Sequence, residues 1–345
     1  MKETKLRFID LFCGIGGFRT ALKNAASDNG ILTECVFSSD IDPFANEAYK
    51  ANYGEMPSGD ICAIDAKDIP DHDVLLGGFP CQPFSIIGEG RGFDDTRGTL
   101  FFEIARILKA KRPKAFVLEN VKRLVSHHNG RTFNKIMEAL RELGYTTEYR
   151  VLNALDFGLP QKRERVFIVG LLGPMHFSWP SGTAGFKPLG EVLERDVPIR
   201  YYASDDIKNK RKSLHKSKFH PSIWHENKAG NVSSYPYSCA LRAGASYNYL
   251  LVNGERRLTP REMLRLQGFP DSFNIVCNDS QTRRQAGNAL PVPVAEAVIR
   301  ALLPYLTTKK TFSLNEERKS YSSTKTKSST GAKNCPKKSE KSRRA

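Results

Sequence analysis

The chain has 345 residues, 40% of them hydrophobic and 26% charged, which is an ordinary composition for a globular protein with a sizeable core. It holds no run of about 18 apolar residues, and its first ten residues lack the apolar stretch of a signal peptide, so we expect neither a membrane protein nor a secreted one. The net charge of +16 instead predicts a polyanionic partner.

Short apolar segments alternate with amphipathic segments through the first 174 residues. Strands are predicted at residues 7–12, 34–38, 74–76, 115–118, 148–152 and 166–171, and helices at residues 43–53, 100–109 and 133–143. Such alternation is typical of an α/β protein. It predicts a doubly wound, Rossmann-like and mostly parallel sheet that is covered by helices on both faces.

The alternation stops after about residue 174. Residues 175–255 are irregular and rich in Ser, Tyr, Lys, Gly and Asn, and helical patterns return at residues 260–266 and 291–306. From residue 307 onward Lys and Ser dominate, and such a composition buries little apolar surface. We therefore predict a larger domain from residues 1–174 and 256–306, a smaller domain at 175–255, and a basic disordered tail at 307–345.

A glycine-rich turn, GIGG at residues 14–17, follows the first predicted strand. Glycines let the backbone turn tightly and approach a ligand without a Cβ in the way. Asp40 stands at the end of the second strand, where dinucleotide folds place a carboxylate that accepts hydrogen bonds from ribose hydroxyls. Asp60 and Ile61 form an acidic and apolar pair suited to an adenine ring. The G-x-G-G spacing favours a nucleoside ligand without a pyrophosphate, and an ordinary glycine turn with a solvated Asp40 is the alternative.

Cysteine usage singles out one thiol. The seven cysteines are spread singly, without a C-x-x-C pair, and the seven histidines show no metal-ligand spacing, so we predict a cytoplasmic protein without disulfides or a metal. Most lone cysteines are buried and inert. Cys81, however, lies in a Gly- and Pro-rich loop after the predicted strand 74–76, at the edge where doubly wound sheets bind ligands. A deprotonated thiol there is a strong nucleophile.

The residues around this thiol resemble a known family. Phe79-Pro80-Cys81-Gln82, with Glu119-Asn120-Val121 beyond it, is similar to the motifs of the cytosine-C5 DNA methyltransferase family. The family's other motifs are matched in order by residues 10–18, Asp40, Asp60, and residues 96–100, 161–165, 257–262, 268–270 and 285–289. The resemblance covers roughly residues 6–174 and 255–305.

This resemblance implies that the protein transfers a methyl group from S-adenosylmethionine to C5 of a cytosine in duplex DNA. Cys81 would add to C6 of the cytosine, and Glu119 would bond N3 and the exocyclic amine. Arg163 and Arg165 would flank the base and the catalytic loop. Because the reacting carbon is hidden in the duplex, the cytosine must rotate out of the stack. The implied cofactor residues are Phe12, Gly14, Gly16, Asp40, Ile41, Asp60, Ile61, Pro80 and Asn288.

Residues 175–255 occupy the place of the family's target-recognition segment. A basic cluster in this region would contact phosphates, which supply salt-dependent affinity without sequence information, and a solvated charged loop is the alternative. Arg242 and the aromatic residues that follow it suit groove reading. The implied DNA-binding residues are Gln82, Ser85, Arg97, Lys210, Arg211, Lys212 and Arg242.

Three positions depart from the family pattern. Many relatives carry Glu in place of Asp40, a change that keeps the carboxylate for the ribose. The family often has Thr-Leu where this chain has Ala240-Leu241, and it commonly has Ser where this chain has Ala289. The last change removes a hydroxyl near the cofactor.

Three other functions are compatible with parts of the sequence. Some relatives methylate tRNA, although their Cys-Phe-Thr motif is missing here. A DNA-binding regulator would keep the fold without catalysis, and a nicotinamide oxidoreductase would leave Cys81 and Glu119 unexplained. We expect a monomeric, cytoplasmic enzyme that acts on double-stranded DNA, associates with the nucleoid when bound, and serves alongside a restriction endonuclease.

Overall fold

The structure is a computed structural model that describes residues 5–80, 100–183 and 185–307. The predicted nucleophile Cys81 lies outside the described residues, as do the predicted DNA-binding residues Gln82, Ser85 and Arg97. The predicted tail lies outside them as well, apart from Thr307.

The centre of the fold is a six-stranded sheet. The strands of this part of the chain are β1 (Leu6–Leu11), β2 (Thr33–Ser39), β3 (Val74–Gly77), β4 (Ala115–Val121), β5 (Tyr145–Asn153), β6 (Gln161–Lys162) and β7 (Glu164–Leu172). The sheet has the order β2-β1-β3-β4-β7-β5, in which β1 to β4 are parallel and β7 is antiparallel to both of its neighbours. The predicted mostly parallel α/β fold is therefore confirmed.

Helices cover both faces of the sheet. The helices of the described chain are α1 (Gly17–Ser27), α2 (Pro43–Tyr53), α3 (Leu100–Lys111), α4 (Arg123–Ser126), α5 (Arg131–Glu142), α6 (Asp205–Leu214), α7 (Pro260–Gln267), α8 (Asp279–Asn288) and α9 (Val292–Thr307), and only some of them pack on the sheet. Side chains alternate along each strand, so that Leu6 and Phe8 of β1 join one apolar cluster while Ile9 and Leu11 join another. α1, α2 and α9 contribute to the first cluster, and α3 and α5 contribute to the second.

The start of α2 shows how the sequence fixes the edge of the sheet at which β2 ends. Asp42 caps the helix, because its side chain accepts hydrogen bonds from the backbone N–H groups of Phe44 (3.0 Å) and Ala45 (3.3 Å). Pro43 takes the first helical position, where its missing N–H costs nothing. The chain therefore turns sharply between β2 and α2, and Asp40 and Ile41 are held at that turn.

Residues 175–255 contain more regular structure than the sequence pattern indicated. β8 (Ile223–Glu226), β9 (Val232–Tyr235) and β11 (Leu250–Val252) form an antiparallel sheet in the order β11-β8-β9, and β10 (Ser238–Cys239) pairs with β6 of the larger region. These strands are two to four residues long, which is too short to leave a period in the sequence. The absence of a sustained period in this part of the sequence is explained by the shortness of its strands.

One helical stretch of the described chain, Asp279–Thr307, is long and apolar enough to cross a membrane by length and composition alone. Its most apolar window is 56% buried inside the protein. Val294, Val298 and Leu302 of α9 are completely buried in the first apolar cluster. The apolar character of this stretch is thus explained by packing against the sheet.

Gly170 of β7 is required by the packing of the sheet. It lies opposite Phe116 of β4, and a Cβ at this position would stand 2.1 Å from the Phe116 ring. We expect Gly170→Ala to lower the free energy of unfolding by about 1–3 kcal/mol, because the ring must move within a packed core. Gly190→Ala, where a Cβ meets only Pro221 at 3.8 Å, should change it by less than about 0.5 kcal/mol. Urea denaturation of both variants measures the difference, and equal stabilities would contradict the packing argument.

Candidate active site

A cavity of about 730 Å³ opens at the edge of the sheet where the parallel strands end. Its wall is formed by the residues that follow β1, β2 and β3, by the end of β4, by the start of β7 and by the end of α8. This edge is where doubly wound folds bind ligands, and the volume suits a small organic molecule. Of the described residues predicted to act in catalysis or cofactor binding, the following line it: Phe12, Gly14, Asp40, Ile41, Asp60, Ile61, Pro80, Glu119, Arg163, Arg165 and Asn288.

The glycine turn and Asp40 are locked together at one end of the cavity. The Asp40 carboxylate accepts hydrogen bonds from the backbone N–H of Gly14 (2.8 Å) and of Asp42 (2.9 Å), one on each oxygen. Burial raises the pKa of Asp40, while these backbone donors act in the opposite direction. Each oxygen keeps a further lone pair, so the carboxylate can accept hydrogen bonds from hydroxyl groups of a ligand.

Gly16 has a packing role in the turn. It does not line the cavity, and a Cβ on it would lie 2.3 Å from the Tyr53 ring of α2. Its φ of 81° also places it in the left-handed region. Gly16 therefore allows the turn to pack against α2, and its predicted contact with a cofactor stays a prediction.

An apolar surface and a carboxylate stand beside Asp40. Ile41 is 72% exposed although it lines the cavity, and Ile61 is buried below the surface. An isoleucine exposed within a cavity offers a flat apolar contact for a ring. The exposed Asp60 accepts a hydrogen bond from the backbone N–H of Cys62 (2.9 Å) on one oxygen. These residues and Asp40 together fit an adenosine group, with the ribose at Asp40 and the adenine against Ile41.

Glu119 lies deeper in the cavity, at the end of β4. Arg165 of β7 forms an ion pair with it, with 2.9 Å between Arg165 Nε and Glu119 Oε1. The two side chains are only 14% and 11% exposed. Burial raises the pKa of Glu119, and Arg165 and Arg163 oppose this rise. The carboxyl group can therefore hold a proton more readily than an exposed glutamate, while Arg165 fixes its orientation.

Asn120 supports the segment that leads to Cys81. Its side-chain amide donates a hydrogen bond to the carbonyl of Phe79 (2.9 Å), which ties the chain after β3 to β4. Gly78 lies beside Glu119, since a Cβ there would be 3.5 Å from Glu119 Oε2. In the sequence, Asn120 stands out only as part of a motif, without a role of its own. Its position directly after Glu119 is the feature that could have indicated a role in the site.

Arg163 is 1% exposed and joins three segments of backbone. Its guanidinium donates hydrogen bonds to the carbonyls of Leu241 (2.8 Å), Gly287 (2.9 Å) and Ala289 (2.7 Å). Burial lowers its pKa, as does Arg165, whereas Glu119 raises it. Since three acceptors surround it, the structure assigns Arg163 to positioning the cavity wall.

Gln161 and Gln267 extend this buried network, and neither was predicted as a site residue. Gln161 donates to the carbonyl of Leu266 (2.7 Å) and accepts from the backbone N–H of Leu241 (2.9 Å). Gln267 donates to the carbonyl of Ala289 (3.1 Å). Gln161 belongs to the motif at residues 161–165. Its membership of that motif is the feature of the sequence that could have indicated a role in the site.

The predicted DNA-binding residues on described segments lie outside the cavity. Lys210 is 3.7 Å from Glu226, Lys212 is 2.8 Å from Glu255, and both lysines are at least half exposed. Arg242 is exposed, and its guanidinium lies 4.9 Å from the centre of the Tyr249 ring.

Arg211 corrects the sequence prediction. It is 1% exposed, forms an ion pair with Glu226 at 3.0 Å, and donates to the carbonyl of Asn248. A guanidinium enclosed in this way does not reach a phosphate. Nothing in the sequence separated it from its exposed neighbours, because all of them stand in one basic cluster.

Comparisons with known proteins agree on one family. The model of the C-5 cytosine-specific DNA methylase family matches residues 6–303. The Type II methyltransferase M.NgoBI of Neisseria gonorrhoeae is 60% identical over 292 residues, which are 84% of this chain and 90% of that protein. M.HaeII of Haemophilus aegyptius, another Type II methyltransferase, is 56% identical over 306 residues, or 88% and 94% of the two chains. The crystal structure of the S. pombe Dnmt2 methyltransferase has a TM-score of 0.69 at 25% identity, and the match covers 88% of this chain and all of that one.

Replacing Arg163 tests its positioning role. We expect Arg163→Met to lower the free energy of unfolding by about 3–5 kcal/mol, because three buried carbonyls lose their donor. The exposed neighbour Lys162 provides the control, and Lys162→Met should change stability by less than about 0.5 kcal/mol. Both values come from urea denaturation, and an Arg163→Met variant as stable as the control would refute the role.

Proposed function

The chain belongs to the C-5 cytosine-specific DNA methylase family, and on this basis we propose how its residues methylate a cytosine within a specific sequence of duplex DNA. The enzyme is a DNA cytosine-5-methyltransferase that uses S-adenosylmethionine. The observation that carries the proposal is the cavity with two chemically distinct ends. Asp40 and Ile41 stand at one end, and the Glu119–Arg165 ion pair stands at the other.

The described residues fit the methyl donor. When bound, S-adenosylmethionine supplies an electrophilic methyl group on a sulfonium sulfur. Asp40 would accept the ribose hydroxyls, Ile41 would cover one face of the adenine, and Asp60 would accept from its edge. Phe12, Gly14, Pro80 and Asn288 complete the proposed contacts along the wall.

The chemistry requires a nucleophile next to the acid. Cytosine C5 is a poor nucleophile because its ring is aromatic and poor in electrons. A thiolate of Cys81 that bonds to C6 breaks this aromaticity, and a proton from Glu119 on N3 neutralises the charge that forms. C5 would then accept the methyl group, with S-adenosylhomocysteine as the leaving group, and would lose its own proton to a base while N3 returns its proton to Glu119. Elimination breaks the C6–S bond and frees Cys81, which follows the cavity residue Pro80 in the chain.

Arg165 has a supporting task in this scheme. Its ion pair holds the Glu119 carboxyl in one orientation toward the cavity. The raised pKa of Glu119 makes a proton available for N3, and burial is the main cause. The site thus combines a positioned acid with a low-dielectric environment, in which charge stabilisation is strongest.

The target cytosine must leave the duplex to reach Glu119, which costs a few kcal/mol of stacking and pairing. We propose that residues 175–255 form the target-recognition domain, and that residues 1–174 and 256–306 form the catalytic domain. Arg242, Lys210 and Lys212 would contact DNA, and their exposure supports this. Since the named relatives are Type II methyltransferases, we further propose a monomeric, cytoplasmic modification enzyme with a cognate restriction endonuclease.

Incubation with labelled S-adenosylmethionine tests the reaction and the substrate together. We expect label in duplex DNA and none in tRNA, and bisulfite sequencing of the product should locate one recognised sequence. Cys81→Ser should abolish the labelling because the C6 adduct cannot form. Cys277→Ser, which removes a half-buried thiol outside the cavity, should retain it. A duplex with 5-fluorocytosine at the target should trap a covalent adduct with the wild type and with Cys277→Ser, but not with Cys81→Ser. Label confined to tRNA, or an active Cys81→Ser variant, would defeat the proposal.

The pH dependence tests Glu119. The acid must be protonated to serve N3, so kcat should fall as pH rises through the raised pKa of Glu119. Glu119→Gln should lower kcat by about 10²- to 10⁴-fold and lose this alkaline decline. Glu164→Gln, which removes a carboxylate paired with Lys122 outside the cavity, should keep the wild-type profile. An unchanged alkaline decline in Glu119→Gln would show that another group causes it.

A further inference from the structure

The segment between β10 and β11 accepts hydrogen bonds from arginines in three separate parts of the chain. We name residues 242–249 the clamped loop. Backbone carbonyls in or next to it accept hydrogen bonds from buried or half-buried guanidinium groups. The bonds are Arg163 to Leu241 (2.8 Å), Arg283 of α8 to Ala245 and to Ser246 (2.9 Å), and Arg211 of α6 to Asn248.

Arg283 makes the most extensive of these contacts. Besides the two carbonyls, its guanidinium lies 4.4 Å from the centre of the Tyr247 ring and 6.0 Å from that of Tyr249. Such distances allow a cation–π interaction with Tyr247. Both hydrogen bonds come from the Nη2 atom of Arg283, and the same planar group lies over the Tyr247 ring. One guanidinium therefore contacts both the backbone and an aromatic side chain of the clamped loop.

The backbone of α8 also meets the clamped loop directly. A Cβ on Gly287 would stand 2.3 Å from the backbone nitrogen of Ala243. Gly287 also lines the cavity, so the clamped loop begins at the cavity wall, where an extruded base would enter. The position of the loop relative to the active site is thus set by α8.

Several side chains of the clamped loop are exposed although its backbone is held, whereas Tyr249 is buried. Arg242 and Ser246 are exposed, and Tyr247 is 51% exposed. The loop contains no acidic residue, so nothing in it repels a phosphate. A rigid backbone that carries exposed hydrogen-bonding side chains suits recognition of base edges in the major groove.

We propose that Arg283 is a positioning residue for sequence recognition, which sets the base selectivity of the enzyme by fixing the backbone that presents Arg242 and Tyr247 to DNA. This inference rests on the proposed methylation of duplex DNA. A loop held in one shape rejects base pairs that do not match it, whereas a loosened loop adapts to more sequences. The loss of Arg283 therefore relaxes selectivity without affecting the methyl donor.

A randomised duplex library measures this selectivity, because it presents the recognised sequence together with all of its single-base variants. Wild type and Arg283→Gln each methylate the library, and bisulfite sequencing gives the ratio of methylation at the preferred sequence to that at single-base variants. We expect Arg283→Gln to lower this ratio about tenfold at one or more positions. The affinity for S-adenosylhomocysteine should stay unchanged, because Arg283 is not among the residues that line the cavity.

Arg261→Gln is the matched control. Arg261 is also half-buried and donates to two loop carbonyls, those of Pro270 (3.4 Å) and Phe273 (2.9 Å), but in a different loop. Its loss should lower the melting temperature as Arg283→Gln does while wild-type selectivity remains. Arg283→Lys keeps the charge and loses the planar group that lies over the Tyr247 ring, so its selectivity should be relaxed as well. If Arg283→Gln does not fold, Arg283→Lys and the separate variant Tyr247→Leu provide the same comparison.

The possible outcomes distinguish a failure of the positioning role of Arg283 from a failure of the proposed methylation of duplex DNA. A wild type that methylates no library member contradicts both. A selective wild type with an equally selective Arg283→Gln contradicts the inference alone, as does full selectivity in Arg283→Lys. A salt dependence of DNA binding that falls by about one unit of log–log slope in Arg283→Gln would identify a phosphate contact instead, and would overturn the positioning role.

Discussion

The buried charge of Arg163 is the constraint on which the arrangement of this active site depends. A guanidinium removed from water must be surrounded by acceptors, and here the acceptors are the carbonyls of Leu241, Gly287 and Ala289. The first of these carbonyls lies in a segment distant in sequence from Arg163, and the other two lie together at the end of α8. Satisfying one charge therefore brings together the start of β7, the approach to the clamped loop and the end of α8. The cavity wall at the catalytic end follows from this junction.

The same burial that makes Arg163 structural makes Glu119 reactive. Both residues lie at the interface of β4 and β7, but Glu119 has a single ion-pair partner in Arg165, and its second oxygen faces the side of Gly78. Desolvation raises the pKa of this carboxyl and lowers the pKa of the Arg163 guanidinium, which donates hydrogen bonds to three backbone carbonyls. The contact between Glu119 and Arg165 is possible because β7 runs antiparallel to β4 in an otherwise mostly parallel sheet. Its first residues lie beside the last residues of β4, so acid and arginine meet.

α8 connects the cavity with the clamped loop. One side of it contributes Gln285, Gly287 and Asn288 to the cavity, and the other side holds the clamped loop through Arg283. Its sequence, DSQTRRQAGN, is largely polar, and its single alanine, Ala286, is buried in the first apolar cluster. Apolar periodicity detects helices that present several apolar side chains to a core. The sequence pattern therefore does not predict this helix.

The sequence by itself determined the α/β alternation, the glycine turn, Asp40 and the motif residues Glu119 and Arg165, since each leaves a local pattern of residue types along the chain. It could not determine which basic residues are exposed. Arg211 and Lys212 are neighbours in one cluster, yet the first is enclosed by Glu226 and Asn248 while the second remains half exposed. Likewise Gly16 and Gly14 share one turn, but only Gly14 lines the cavity because the Tyr53 ring occupies the space beside Gly16. Burial and hydrogen-bond partners depend on segments distant in sequence, so only the tertiary structure decides them.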